Sequence, residues 1–555
     1  EDIPLDVVPN ATAPTTQSTS VPSYPSNIDL GVVTAPPRAT KYISFEGKSF
    51  LAVASTSPNW DIANGALTIS EWKGDAQGSF HVLQQETREL GASSLAYFHA
   101  VDASCNSATF RSDCEPLGHH YIVVGNSYKE GGVIISGFSV YRWERKISLF
   151  KLHHTRSPTS EHDATRQLHT STLASFQAHD ETFLAVGFSG DGDRHNIASI
   201  VYKLDTQNAL VSMHTGNLTA GNGFQRVFSV PSVGVVDIEY VSVSQGGGQF
   251  RDLIVIANGL NPRPFVSMDV YKGDLCVLEI ICTKLLQANG LKGCVGIKAW
   301  SFNELQRIPA LGLSDLESVN MNQGPEIITL LAAVSRKSHA SISSYDQSSY
   351  DVASYVYRWN KDSVRFDVLQ VLGEKFRSVA SRRGTSDANM LRAFCLPECN
   401  LAPDNVTYSV KFLRGATGVT LFFSDNELYL AIAQSVCEDW HVAEDCHSTT
   451  AQPRSAILQY NRITNVFSEM LSRTDNENIR LRGTSVPDSQ IGHRQYALRL
   501  DVGRAVSWEY FEIFGRRFLV ASSLSHGAIT YEFSFKTISS LRGSIDVTSD
   551  THNTR

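Results

Sequence analysis

Charge is scarce in this chain: Asp, Glu, Lys and Arg make up 19% of its 555 residues, below the quarter usual for soluble domains. That shortage argues against a coiled coil or a helical array, which need many Glu and Lys. A basic excess is lacking too. Forty-eight Lys and Arg against 56 Asp and Glu leave a net charge of −8, so no nucleic-acid surface is expected. Long apolar runs are missing. One of the longest, Ile327-Ile328-Thr329-Leu330-Leu331-Ala332-Ala333-Val334, is far short of the roughly 20 residues of a membrane span. The amino terminus has no basic segment followed by an apolar one and opens Glu1-Asp2-Ile3-Pro4. It reads as a chain whose leader or pro-segment has been removed.

Signatures of chemistry are equally sparse. There is no G-x-S-x-G elbow, no P-loop, and no G-x-G-x-x-G in a strand–turn–helix context, and no cofactor is expected. His153, His154, His162, His169 and His179 crowd one stretch but follow no fixed metal-ligand spacing, so they read as solvated. Gly190-Asp191-Gly192-Asp193 resembles part of a calcium loop without the further carboxylates a calcium cage requires.

What is present is a globular composition, with 42% hydrophobic residues. Residues 1–40 are rich in Pro, Thr and Ser, as in Ala13-Pro14-Thr15-Thr16-Gln17-Ser18-Thr19-Ser20. They read as a flexible arm or O-glycosylated stalk. Sequons for N-linked glycan stand at Asn10, Asn217 and Asn405. Cys105 and Cys114, Cys395 and Cys399, and Cys437 and Cys446 form close pairs in polar stretches. Such pairs suit local disulfides in an oxidising compartment. Cys276, Cys282 and Cys294 are left as a group of three, of which two are expected to join. The third would be free or paired with another chain. An extracellular, secreted or cell-surface protein is expected.

The strongest signal is a long-range repeat. A short Ala/Val-rich strand recurs seven times: Leu51-Ala52-Val53-Ala54, Ile122-Val123-Val124-Gly125, Leu184-Ala185-Val186-Gly187, Ile254-Val255-Ile256-Ala257, Leu330-Leu331-Ala332-Ala333, Leu430-Ala431-Ile432-Ala433 and Leu519-Val520-Ala521-Ser522. A strand with an aromatic signature follows, clearest as Val140-Tyr141-Arg142-Trp143 and Val356-Tyr357-Arg358-Trp359, and weaker as Val270-Tyr271-Lys272. A third strand reads Phe80-His81-Val82-Leu83-Gln84 or Phe366-Asp367-Val368-Leu369-Gln370, and a fourth precedes most Ala/Val strands. Four short strands per unit is the pattern of a propeller blade. The expectation is an all-β, seven-bladed β-propeller of four-stranded blades, with the Ala/Val strand innermost and long disulfide-containing loop insertions. It would span residues 41–536, followed by a polar tail at 537–555. Ring closure would use residues 29–34 or the tail after Phe535.

The run Phe45-Glu46-Gly47-Lys48-Ser49-Phe50-Leu51-Ala52-Val53-Ala54, then Tyr-Arg-Trp, Phe-x-x-Leu-Gln and Gly91-Ala92, resembles the EAR (epilepsy-associated, or EPTP) repeat. That resemblance implies a seven-bladed propeller of secreted and cell-surface proteins, with ligand-binding or adhesion roles and no catalysis. The expected function is therefore a non-enzymatic extracellular glycoprotein, carrying N-linked and O-linked glycans and using its propeller for protein–protein contact or adhesion. Its partners would be extracellular or cell-surface proteins. A second reading is a subunit of an extracellular assembly (matrix, coat or surface filament) that binds copies of itself. A third is a glycan-binding or glycan-cleaving propeller. For that one, Glu239, Glu317 and Glu509 stand at corresponding places in their repeats and could approach the axis. Polar insertions at 103–119, 155–172, 336–353, 374–411 and 436–454 are candidate binding loops.

Overall fold

The structure is a computed structural model. It describes residues 37–56, 66–74, 80–86, 91–100, 118–130, 133–156, 168–179, 181–190, 196–204, 224–259, 272–285, 297–324, 326–336, 353–372, 407–409, 415–434, 454–469, 471–472, 496–497, 499–501, 505–523, 527–536 and 544–548. Every regular element among them is a β-strand.

The strands form seven sheets on one plan, each with four consecutive antiparallel strands side by side in chain order. The first strands of the sheets are Pro37–Phe45, Ala92–Ala100, His169–Ala178, Val235–Gly246, Leu313–Gln323, Ala416–Ser424 and Ala505–Ile513. Each touches the first strand of the next sheet, and the seventh touches the first. The sheets are therefore blades around an axis lined by these seven inner strands. Blade five gains Thr407–Ser409, added parallel to Arg365–Leu372, and blade six gains Arg499–Asp501 beside Arg454–Asn461. Blade seven is completed from the tail, where Ser544–Thr548 pairs with Gly527–Lys536.

The Ala/Val strand is not innermost, which corrects the sequence reading. It is the second strand of each blade, as in Lys48–Ser55 against Pro37–Phe45. Hydrogen-bonded on both edges and packed on both faces, it has no reason to carry polar groups. Its alternate side chains feed two different interfaces. Ala52 and Ala54 pack with Ile122, Val124 and Trp143 of blade two, whereas Leu51 and Val53 pack with Phe511, Phe518 and Val520 of blade seven. Corresponding clusters fill the other blade-to-blade interfaces. The buried tyrosine of the aromatic signature, Tyr141 in blade two and Tyr357 in blade five, belongs to this core. In blade four its place falls to Leu278, which pairs with Ile254 as Tyr141 pairs with Ile122. Val270 and Tyr271, read from the sequence as that copy, lie outside the described residues.

Two devices join blade to blade. Every inner strand carries a β-bulge at one register position, at Arg38, Ser93, Ser171, Val236, Ser314, Thr417 and Val506. Where the bulged residue has a hydroxyl, that oxygen sits against the next inner strand. Ser93 Oγ is 3.0 Å from Thr170 O, Ser171 Oγ 2.5 Å from Val235 O, Ser314 Oγ 2.7 Å from Ala416 O, and Thr417 Oγ1 2.6 Å from Ala505 O. Further out, a glutamine side chain pairs with a neighbouring backbone as another peptide would. Gln370 Nε2 donates to Phe467 O at 2.8 Å and its Oε1 accepts from Phe467 N at 2.7 Å. Gln84 does the same to Phe150, and Gln306 to Phe366.

The disulfide expectation is corrected where the structure describes it. Cys276 and Cys282 are free, and both lie on the strand Lys272–Leu285. Six residues of strand separate them by about 20 Å at about 3.3 Å per residue, beyond the reach of a disulfide. Among the described residues there is no disulfide. Cys105, Cys114, Cys294, Cys395, Cys399, Cys437 and Cys446 lie outside them, as do Asn10, Asn217, Asn405, residues 29–34 and His162. No helix among the described residues is long and apolar enough to cross a membrane.

Candidate active site at the propeller axis

The bulge sets a common register on all seven inner strands. One residue beyond it stand Ala39, Ser94, Thr172, Asp237, Asp315, Gly418 and Ser507. Two residues further stand Lys41, Ala96, Ala174, Glu239, Glu317, Thr420 and Glu509, each opposite a small or β-branched residue of the second strand. The three glutamates singled out from the sequence thus share one level of the ring. The structure adds Lys41 at their level and Asp237 and Asp315 one level away, none of which the sequence reading had nominated. A signal was available. Asp237-Ile238-Glu239 and Asp315-Leu316-Glu317 are the same Asp–aliphatic–Glu triplet at the same place in neighbouring repeats.

Most of these carboxylates accept hydrogen bonds from the next inner strand. Leu316 N donates to Asp237 Oδ2 at 2.9 Å, and Val419 N to Asp315 Oδ2 at 2.7 Å. Glu239 Oε1 accepts from Ser318 N at 3.2 Å and Ser318 Oγ at 2.7 Å. Glu509 Oε1 accepts from Tyr42 N at 3.1 Å and lies 3.3 Å from Lys41 Nζ. Thr172 Oγ1 donates to Asp237 Oδ1 at 2.8 Å.

Crowding five carboxyl groups against one ammonium raises the cost of ionising them all. Burial pushes Glu317 well above the usual carboxylate range, and the neighbouring Glu239 adds to it against the opposing pull of Lys41. Burial likewise raises Glu239 to about 7. Asp237 and Asp315 are hydrogen-bonded to each other and both raised, chiefly by burial, so this pair shares a proton. Lys41 is raised by Glu509 first of all and stays charged.

Glu317, Glu509 and Lys41 line one cavity of ≈ 390 Å³ together with Thr420, Leu421, Phe422, Phe423 and Tyr510. It therefore presents a protonated carboxyl, an ion-paired carboxylate, a hydroxyl and an aromatic wall. Phe422 and Tyr510 stack with ring centres 4.4 Å apart. The histidine stretch does not join this site. His153 and His154 are half-buried on an outer strand rather than solvated, and burial lowers His153 to about 4. Among the described residues no group of three or more potential ligands could hold a metal ion.

No family model matches the chain, and no curated protein matches it. Solved structures do resemble it. One is an α-L-arabinofuranosidase from Fusarium graminearum, at 8% identity over 74% of this chain and 92% of that one, with a TM-score of 0.34. Another is an α-L-arabinanase from Penicillium chrysogenum complexed with arabinobiose, at 8% identity over 72% and 89%, TM-score 0.34. A third is a GH43 β-xylosidase/α-arabinofuranosidase from a compost microbial metagenome, at 8% identity over 71% and 98%, TM-score 0.28.

These findings correct three expectations. Membership of the EAR repeat family is withdrawn, since no family model matches and the motifs behind it are blade-packing and clasp residues. The adhesion and assembly readings, and with them the absence of catalysis, are set aside. The axis gathers the buried carboxyl of Glu317 and the Lys41-paired carboxylate of Glu509 in one cavity.

Proposed function

We propose that this propeller is a carbohydrate-active enzyme that hydrolyses a glycosidic bond in its axial cavity. The observation that carries the reading is the meeting in one cavity of Glu317, whose carboxyl burial pushes well above the usual range, with Glu509, ion-paired to Lys41 at 3.3 Å. Glycoside hydrolysis needs that pair: an acid to protonate the leaving oxygen, and a carboxylate to attack or to activate water. Glu317 takes the first role and Glu509 the second. Lys41 pairs with that carboxylate, and Thr420 offers a hydroxyl to the sugar. Phe422, Phe423 and Tyr510 offer ring faces to its C–H groups.

An extracellular setting fits this activity. It is supported by the sequons at Asn10, Asn217 and Asn405 and by the pairs Cys105–Cys114, Cys395–Cys399 and Cys437–Cys446. Residues 1–40 would tether the propeller. Non-reducing peptide mapping tests the pairs, and recovery of all six as thiols overturns that setting.

Release of reducing sugar from a panel of arabinose-, xylose- and glucose-based polysaccharides tests the activity. Turnover that falls about 10²–10⁴-fold in both Glu317→Gln and Glu509→Gln is expected. Turnover untouched by either substitution, or none on any substrate, overturns the proposal.

A further inference from the structure

We infer that Asp237 and Glu239 of blade four are positioning residues for Glu317, holding the backbone on either side of it so that its carboxyl points into the axial cavity. This role rests on the hydrolytic reading above and adds two residues to the same site.

Leu316 and Ser318 flank Glu317 on the inner strand of blade five, Leu313–Gln323. Alternate N–H groups along a strand point to the same edge, and the axial edge of this strand has no partner strand. Amides on such an edge need acceptors from elsewhere. Blade four provides them on both sides of Glu317. Asp237 Oδ2 accepts from Leu316 N at 2.9 Å, and Glu239 Oε1 accepts from Ser318 N at 3.2 Å and from Ser318 Oγ at 2.7 Å. Asp237 is itself held, since Thr172 Oγ1 donates to its other oxygen at 2.8 Å. One fixed amide before Glu317 and one after it set the course of the strand there, and so where its Cβ points.

The next copy of the Asp–aliphatic–Glu triplet behaves differently. Asp315 repeats the role of Asp237, accepting from Val419 N at 2.7 Å. Glu317 does not repeat the role of Glu239. Its carboxyl has no hydrogen bond among the described residues, and it lines the cavity instead. The triplet of blade four is the holder, and Glu317 is what it holds.

Closing the ring does not demand carboxyl groups at these places. Blades two and three have Ser94 with Ala96 and Thr172 with Ala174 at the same two levels. Burial raises both Asp237 and Glu239, a penalty on their charged forms that a hydroxyl or methyl group avoids. The two costly acceptors stand where the strand carrying Glu317 follows.

The test separates the hydrogen bonds from the charge. Gln and Asn keep an acceptor oxygen, whereas Met and Leu keep the bulk without it. At pH 5, where Glu239 holds its proton, Glu239→Met and Asp237→Leu should each lower kcat on a polysaccharide about 10²-fold, the scale of a misplaced group, with KM little changed. Glu239→Gln and Asp237→Asn should recover most of that rate. A dinitrophenyl glycoside releases a stable phenolate that needs no proton from an acid, so its hydrolysis should fall far less in the Met and Leu variants. A site that had merely loosened would lose both substrates alike. Amide hydrogen exchange reads the clamp without turnover: Leu316 should exchange faster in Asp237→Leu and Ser318 faster in Glu239→Met, and both at the parent's rate in the Asn and Gln variants. Equal losses on the two substrates, Gln and Asn variants as slow as Met and Leu, or unchanged exchange overturn the clamp and leave the hydrolytic reading standing. No turnover of any substrate by the unaltered protein overturns the hydrolytic reading and the positioning role with it.

Discussion

Gly418 and Val506 bring two inner strands so close that a Cβ added to Gly418 would lie 2.4 Å from the carbonyl oxygen of Val506. Backbone cannot swing aside as a flexible side chain can. Gly418→Ala must therefore push blades six and seven apart at the level of the axial carboxylates. Overpacking of this kind costs about 1–3 kcal/mol. Urea denaturation should show that loss, and unchanged stability would mean the blades slide freely.

Gln370 is fully buried and satisfies both backbone groups of Phe467. Gln370→Ala leaves a buried N–H and C=O without partners, at a cost of about 1–3 kcal/mol for each group left unsatisfied. Denaturant midpoints should therefore fall further for Gln370→Ala than for Gln84→Ala, because Gln84 is only half-buried.

That clasp shows how much of the fold was legible. The motif Phe-x-x-Leu-Gln names both halves of it, since the Phe backbone receives one glutamine and the Gln of the same strand reaches on to the next blade. Phe302-Asn303-Glu304-Leu305-Gln306 is a further copy. The Ala/Val strands announced themselves because burial on both faces leaves only apolar residues. The axial site was half legible. Glu239, Glu317 and Glu509 could be aligned by counting back from those strands, whereas Lys41 could not. A lysine in one repeat facing a glutamate in another, 468 positions away, becomes a pair only when the ring closes. The group of three cysteines stayed open in the sequence for a related reason. Spacing along the chain cannot reveal that Cys276 and Cys282 are held apart by one extended strand.

Lys41→Met removes the only cation among the seven inner-strand residues at the level of the three glutamates. The expected result is a loss of about 10²-fold in kcat with a much smaller change in KM, because Glu509 loses the ion-pair partner that positions it at 3.3 Å. Lys41→Arg should recover most of the rate. Little stability is at stake, since Lys41 is 43% exposed and such ion pairs contribute at most about 1 kcal/mol.

Stability should fall as pH rises through neutrality. Glu239, Glu317, Asp237 and Asp315 have native pKa values raised above their unfolded ones, so the native state keeps protons that the unfolded chain has released. Their contribution is complete below about pH 4, the usual unfolded carboxylate range. It is lost as pH climbs through the native values, with the Glu239 share lost by about pH 7. Thermal melting from pH 5 to 8 should show a steady decline that Glu239→Gln with Glu317→Gln flattens. Hydrolysis should fade as pH climbs through the raised native value of Glu317 and it gives up its proton.

The register that lines up seven inner strands does not make the axis symmetric. Blades two and three contribute only Ala96 and Ala174 at the level where blades one, four, five and seven contribute Lys41, Glu239, Glu317 and Glu509. The channel therefore has an arc of ionisable groups, with the Lys41–Glu509 ion pair among them, facing a bare methyl wall, and the electric field across it points one way. A polar molecule entering along the axis would be turned by that field before touching any side chain. The ring that looks rotationally uniform from its repeats works, at its centre, as an object with a front and a back.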